Sequence, residues 1–167
     1  MQEATLKLAH TSEFQKALSI LKTAAQHLLD KGIDQWSYWL DPPAERLEWL
    51  QEGFELNEIH FIQFQKETAG MIRIMHKDLK YWGHQEQSAL YIHSLVILPA
   101  FTGKKIGAHV IEQVKNKAVT QDIYLLRLDC DSSNERLCAY YENLGFKKVY
   151  QRQMMYSINN FYELSIV

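Results

Sequence analysis

The chain has 167 residues, a formal net charge of −2 and a hydrophobic fraction of 47%. This length is typical of one domain, so we predict a single domain over residues 1–167, and the apolar content excludes a disordered chain. A net charge near zero argues against a nucleic-acid binder that works through bulk positive charge.

Neither the first residues nor the cysteines point to export or metal binding. The first residues lack a basic segment followed by an apolar stretch, and no apolar run approaches the ~20 residues of a membrane span. Cys130 and Cys138 show no metal-ligand spacing, which favours two reduced, buried thiols. We therefore expect a soluble cytoplasmic protein with no metal site and no membrane or nucleic-acid partner.

Apolar periodicity and turn residues predict the elements of the first half. They are a strand at Ala4–Ala9, a helix at Glu13–Lys31 capped by Thr11 or Ser12, a helix at Ala44–Glu52 with its N-cap at Asp41, a strand at Glu58–Gln65, a hairpin connection at Lys66–Gly70 and a return strand at Met71–His76.

The second half begins with a long apolar strand, too continuous for a surface position. The predicted elements are that strand at Ser88–Leu98, a helix at Ile106–Val119, a strand at Ile123–Asp129, a helix at Asn134–Leu144 capped by Ser132 or Ser133, and a hairpin of Phe146–Met155 with Phe161–Val167. A central strand-helix-strand unit implies a parallel crossover, and the hairpins imply antiparallel pairing. The fold class is therefore α/β, with a mixed sheet and helices on both faces.

Two segments have a distinctive pattern. Residues 95–107 join the end of an apolar strand, Pro99 and a basic, glycine-containing loop to the start of a helix, and residues 134–146 end in Tyr-Glu-x-x-Gly-Phe. In this order they resemble the GNAT superfamily of N-acetyltransferases. The resemblance implies a mostly antiparallel sheet with a central splayed parallel pair, and acetyl-CoA as co-substrate. The family usually has Gln or Arg where Thr102 stands, and glycine where Lys105 stands.

The basic loop has the chemistry of an anion site. Coenzyme A carries a pyrophosphate, and a helix N-terminus offers unpaired N–H groups and the positive end of a dipole. The expected pyrophosphate-binding residues are Thr102, Gly103, Lys104, Lys105, Ile106, Gly107 and Ala108. An ordinary strand-to-helix turn with solvated lysines is the alternative.

The resemblance also assigns the arm of the cofactor. It implies that the pantetheine chain pairs with the backbone of Leu95, Val96 and Ile97, whose side chains are core. It implies that Asn134 hydrogen-bonds the arm, although a helix N-cap explains this residue equally well.

Transfer to an amine needs a proton acceptor, and a thiolate leaving group needs a proton donor. His93 is the candidate base, because histidine titrates near working pH and the serotonin N-acetyltransferase branch resembles the chain here. It is expected on the strand face of Tyr91 and Leu95; a core histidine is the alternative. Weaker candidates are Glu58, His60 or a water chain.

Tyr141 stands at the family's usual tyrosine and is the candidate acid. It shares a helix face with Leu137 and Leu144, so it should point inward. A core tyrosine is the alternative. Tyr140 lies about 100° round the helix and is the weaker candidate.

The acceptor is expected to be a small-molecule primary amine, acetylated directly. Aromatic residues at Trp36–Trp39 and Tyr81-Trp82 could line its pocket, although core positions are their alternative. The acidic residues Glu48, Glu52, Glu55 and Glu58 would suit a cationic amine, or form a solvated face. A peptide or protein N-acetyltransferase and a non-catalytic CoA-binding regulatory module are the competing functions.

A homodimer is compatible with apolar residues of the C-terminal hairpin. They are Met154, Met155, Tyr156, Phe161 and Tyr162. Core packing is an equal explanation.

Overall fold

A computed structural model describes residues 3–167. Seven strands and four α-helices follow one another in the order that the sequence predicts. The strands are β1 (Thr5–Leu8), β2 (Ile59–Phe64), β3 (Glu67–Met75), β4 (Leu90–Ile97), β5 (Leu125–Asp131), β6 (Lys147–Gln153) and β7 (Ile158–Ser165). The helices are α1 (Phe14–Asp30), α2 (Ala44–Glu55), α3 (Ile106–Val119) and α4 (Glu135–Asn143).

The strands form one mixed sheet in the order β1-β2-β3-β4-β5-β7-β6. The pairs β1–β2, β2–β3, β5–β7 and β6–β7 are antiparallel. The pair β4–β5 is parallel, with Leu90 opposite Leu126 and Tyr91 opposite Arg127. This arrangement confirms the mixed α/β class with its central parallel pair.

The chain divides into two compact units, one with residues up to Ile74 and Ser94–Ile111, the other with Met75–His93 and Glu112–Val167. The core of the first is formed by α1, α2, β2 and β3, with Leu21, Leu50 and Phe61 completely buried. The core of the second surrounds Trp82, which packs edge-on against Phe161 at a centroid distance of 5.1 Å. One domain over the whole chain stays a prediction.

A left-handed residue interrupts β4. Ser94 has φ of +50° in mid-strand, a conformation that side chains other than glycine seldom adopt. A left-handed residue within a strand interrupts the alternation of side chains between the two faces of the sheet. The expectation that His93 and Leu95 share a face depended on that alternation, and the backbone does not support it.

Helix starts differ from the predictions at three places. Thr11 and Ser12 do not cap α1 but belong to a short 3₁₀ turn, in which the Glu13 carboxylate accepts from the His10 N–H at 3.0 Å. The N-cap of α2 is Pro43, not Asp41. The N-cap of α4 is Asn134, not a serine.

The β2–β3 hairpin is tighter than predicted. Its two turn residues are Gln65 and Lys66, both with positive φ, as in a type I′ turn, and β3 begins at Glu67. The prediction placed the connection over Lys66–Gly70. Among the described residues, no helix has both the length and the apolar character needed to cross a bilayer.

The five apolar residues behind the homodimer prediction separate into two groups. Phe161 and Tyr162 are fully buried in the chain's own core and the half-buried Met154 packs against that core, whereas Met155 and Tyr156 are exposed. The homodimer stays a prediction, now with a smaller surface.

Candidate functional site

The strand-to-helix loop has the geometry of an anion site. The first backbone hydrogen bond of α3 runs from the His109 N–H to the Lys105 carbonyl, at 3.2 Å. The N–H groups of Ile106, Gly107 and Ala108 therefore have no acceptor within the helix. Lys104 and Lys105 are exposed just before these donors. The three N–H donors, the positive end of the helix dipole and the two lysine side chains together suit the binding of a pyrophosphate group.

Two loop residues have left-handed backbones. Gly103 has φ of +79° and Lys105 has φ of +59°. Glycine adopts such angles without steric cost, whereas lysine does not. The backbone conformation at Lys105 therefore suits a glycine, the residue that the resemblance leads us to expect at this position. The Thr102 hydroxyl donates to the Pro99 carbonyl at 2.9 Å, so its proton is already used within the turn.

Along the end of β4, the backbone N–H and C=O groups of successive residues point to opposite edges of the strand. The Leu98 N–H donates to the Ala69 carbonyl of β3 at 2.8 Å. The Val96 carbonyl also faces β3, because a Cβ built on Gly70 would lie only 1.8 Å from its oxygen. By strand alternation, Leu95 and Ile97 direct their N–H and C=O groups to the other edge. Of the three predicted arm-binding residues, these two are suitably oriented and Val96 is not.

His93 lies in a compact polar cluster of the second unit. Its Nε2 is 2.5 Å from Oδ2 of Asp78, whose side chain is 1% exposed. Asp129 of β5 completes the cluster, and one ligand-type atom from each of the three residues lies within 4.8 Å of the others. Burial raises the pKa of the Asp129 carboxyl above its usual value, and nearby Asp78 adds to that effect.

Sequence reasoning found His93 but missed both acidic partners. Asp78 lies 15 residues before His93, and Asp129 follows on a different strand. No local motif joins residues at such separations, and only the pairing of β4 with β5 and the loop after β3 brings them together. The two aspartates thus had no sequence signal.

The structure places Tyr141 and Asn134 at the two ends of α4. Tyr141 is buried, and desolvation raises the pKa of its phenol above the ordinary tyrosine value. Its ring packs edge-on against Phe146, at a centroid distance of 5.7 Å. Asn134 caps the helix, with its Oδ1 accepting from the Leu137 N–H at 3.2 Å. The inward position of Tyr141 is confirmed, and the capping role of Asn134 is observed.

The alternative bases are engaged elsewhere. Glu58 accepts a hydrogen bond from Nε of the fully buried Arg73 at 2.7 Å and forms an ion pair with its Nη2 at 2.6 Å. His60 lies with its Nδ1 3.2 Å from the Glu58 carbonyl. An ion-paired carboxylate is a poor proton acceptor, which argues against Glu58 as the base.

Two of the predicted pocket aromatics are core residues instead. Trp39 and Trp82 are 2% and 1% exposed. Trp82 packs against Tyr91 and Tyr150 at centroid distances of 5.9 Å and 5.4 Å. Core packing, the alternative explanation for these aromatics, is therefore what the structure shows for these two residues.

An open groove of about 470 Å³ lies in the first unit between α1 and α2. It is lined by Phe14, Leu47, Glu48, Gln51, Glu52 and Glu55. The apolar floor and three carboxylates give it the character expected for a cationic amine that carries some apolar surface.

The two cysteines are buried and unlinked, with their sulfur atoms 3.5 Å apart. Burial raises the pKa of the Cys130 thiol well above its usual value. A protonated, buried thiol is a poor nucleophile.

A family model described as "Acetyltransferase (GNAT) family" matches residues 21–146. Among curated proteins, the uncharacterized N-acetyltransferase YesJ of Bacillus subtilis (strain 168) is 23% identical over 133 residues, covering 77% of this chain and 73% of YesJ.

Solved structures with different acceptors share the fold. The aminoglycoside acetyltransferase AAC(6')-Ib, solved with ribostamycin and coenzyme A, matches with a TM-score of 0.74 at 15% identity, covering 98% of this chain and 93% of that one. RimL, a ribosomal alpha-N-protein acetyltransferase solved with coenzyme A, matches with a TM-score of 0.71 at 16% identity, covering 98% and 94%. Similarity at this level shows the fold and leaves the acceptor undecided.

Proposed function

The chain belongs to the acetyltransferase (GNAT) family, and we propose that it transfers the acetyl group of acetyl-CoA directly to the primary amine of a small molecule. Membership makes it an acetyl-CoA-dependent N-acetyltransferase; the acceptor and the roles of individual residues are the proposal. The observation that carries it is the contact of His93 with the buried Asp78.

In this proposal His93 takes the proton of the attacking amine. With hydrogen on Nε2, the imidazole donates to the Asp78 carboxylate, and Nδ1 carries the lone pair that accepts a proton. The negative charge of Asp78 stabilises the imidazolium that results. Asp78 is therefore a positioning residue for His93, held in turn by the Tyr81 N–H, which donates to its Oδ1 at 3.2 Å.

Tyr141 supplies the second proton. The thioester of acetyl-CoA provides the activated acetyl group, and its sulfur leaves as a thiolate. Burial raises the pKa of Tyr141, so its phenol is protonated at neutral pH, and in this proposal it donates its proton to the leaving sulfur. The buried thiol of Cys130 argues against an acetyl-cysteine, which supports direct transfer.

The loop before α3 holds the pyrophosphate. Three helix N–H groups, Lys104 and Lys105 supply donors and positive charge. Leu95 and Ile97 are oriented to pair with an extended pantetheine arm. For Asn134 we propose contact with the arm in addition to its observed cap.

A small cationic acceptor is supported by the acidic groove between α1 and α2 and by the similarity to AAC(6')-Ib. A protein α-amine is the alternative, supported by the similarity to RimL. The retained tyrosine and the His93–Asp78 pair argue for catalysis rather than a CoA-binding regulatory module.

The test measures CoA thiol release at saturating acetyl-CoA with three acceptor classes: polyamines, an aminoglycoside and peptides with a free α-amine. We expect release with at least one small cationic amine and not with the peptides. Release with peptides alone would favour the protein acceptor. Acetyl-CoA binding without release, over a broad panel, would favour the regulatory module.

A further inference from the structure

We propose that Asp78, His93 and Asp129 form a binding site for a divalent transition-metal cation, for which Zn²⁺ is the probe. The three residues offer one imidazole nitrogen and two carboxylate oxygens within 4.8 Å of one another. Zinc binds both histidine nitrogen and aspartate oxygen, and open zinc sites have three protein ligands with a fourth position for water. The cysteines, often the zinc ligands of intracellular proteins, take no part.

The ligand spacing suits such an ion. Zinc bonds to nitrogen and oxygen of about 2.0–2.2 Å place tetrahedral ligands about 3.4 Å apart. Nε2 of His93 and Oδ2 of Asp78, now 2.5 Å apart, would separate by about 0.9 Å. Asp129 offers an oxygen within 4.8 Å of both atoms and would approach by at most about 1.4 Å.

Each carboxylate uses one oxygen to fix its orientation. Oδ1 of Asp78 accepts from the Tyr81 N–H at 3.2 Å, so Oδ2 is directed to His93. Oδ2 of Asp129 accepts from the Asn159 amide at 2.7 Å, and the amide oxygen of Asn159 accepts from the Ser157 hydroxyl at 2.6 Å. Outer hydrogen bonds of this kind orient the ligands of metal sites.

The remaining oxygen of Asp129 is the second observation. Its Oδ1 is buried and has no hydrogen-bond partner among the described residues. A buried acceptor with no partner is costly, and two buried carboxylates side by side repel each other. A divalent cation would satisfy this oxygen and offset both negative charges, displacing any proton held there.

The site overlaps the proposed base. A cation on Nε2 of His93 would take the place of the hydrogen that this nitrogen donates to Asp78. A neutral imidazole then carries its hydrogen on Nδ1, which could no longer accept the proton of the amine. Bound metal should therefore inhibit acetyl transfer reversibly. Inhibition rests on the proposed function, whereas binding does not.

The test titrates chelator-treated protein with Zn²⁺ by calorimetry and with Co²⁺ by visible absorption. We expect one ion per chain, with the Co²⁺ spectrum of a low-coordinate site. Asp129→Asn and His93→Gln should each weaken binding by more than about tenfold. Asp122→Asn is the matched control: Asp122 is exposed and has a left-handed backbone that asparagine tolerates, so binding should not change.

A wild-type measurement guards against variants that misfold. Imidazole nitrogen NMR should show Zn²⁺ shifting the signal of His93. No saturable binding, a shift confined to other histidines, or unchanged affinity in a folded Asp129→Asn variant would overturn the proposal. Inhibition is followed as acetylated amine by mass spectrometry, because Zn²⁺ also binds the CoA thiol. Binding without inhibition would support the metal site and contradict the base role of His93.

Discussion

Replacing Lys105 by glycine should stabilise the protein while weakening the cofactor site. The residue has φ of +59° and an exposed side chain. A left-handed backbone costs a residue with a Cβ about 1–2 kcal/mol, and the greater freedom of glycine in the unfolded chain costs about 0.5–1 kcal/mol. The net gain is about 0–1.5 kcal/mol, with about 0.75 kcal/mol at the middle of the two ranges, which corresponds to a rise of up to about 6 °C in Tm for a chain of this length.

Lys104→Gly is the matched control, because it removes the same charge at a residue with negative φ. Only the entropic cost applies there, so a loss of about 0.5–1 kcal/mol is expected. Urea unfolding and Tm measure both effects. Each variant should also weaken acetyl-CoA binding a few-fold, since an exposed charge contributes about 0.2–1 kcal/mol. Equal destabilisation by both would refute the left-handed backbone at Lys105 and the loop geometry built on it.

Three further substitutions test the account. Gly70→Ala should destabilise the protein by about 3 kcal/mol or more in urea unfolding, because its Cβ would lie 1.8 Å from the Val96 carbonyl oxygen; wild-type stability would contradict the close approach of β3 and β4. Tyr141→Phe should lower kcat by at least about tenfold with unchanged acetyl-CoA affinity. In the wild type, Tyr141 ionises near its ordinary pKa of 10.0 in the unfolded chain but stays protonated in the folded protein, so the free energy of unfolding falls as the pH rises above 10. Phenylalanine does not ionise, so the Tyr141→Phe variant should lose less stability over this pH range. An unchanged kcat would exclude the acid role. Asp78→Asn should lower kcat by about 10–100-fold with little change in acetyl-CoA affinity, and a parallel loss of affinity would indicate a structural role instead.

The order of elements could be predicted because each carries a local signal. Apolar periodicity predicted α1 and α3, and the glycine-containing loop predicted the turn between β4 and α3. Tyr141 could be assigned an inward position because its helix spacing alone determines the face.

The details that shape the site had no such signal. Serine has no preference that would predict the left-handed backbone at Ser94. The polar neighbours of Trp82 in the sequence indicate a loop residue. Its side chain is nevertheless buried in the core, where it packs with Phe161 of β7, the strand that pairs with β5. Asp78 and Asp129 join His93 only through the folded chain.

The central claim is that His93, held by Asp78, accepts the proton of an amine. The most direct measurement compares wild type with His93→Gln at saturating acetyl-CoA, using the best small amine of the panel and a range of its concentrations. The account expects kcat to fall by about 10²–10⁴-fold, while acetyl-CoA affinity and Tm stay close to wild type. A folded His93→Gln variant that keeps wild-type kcat would contradict it.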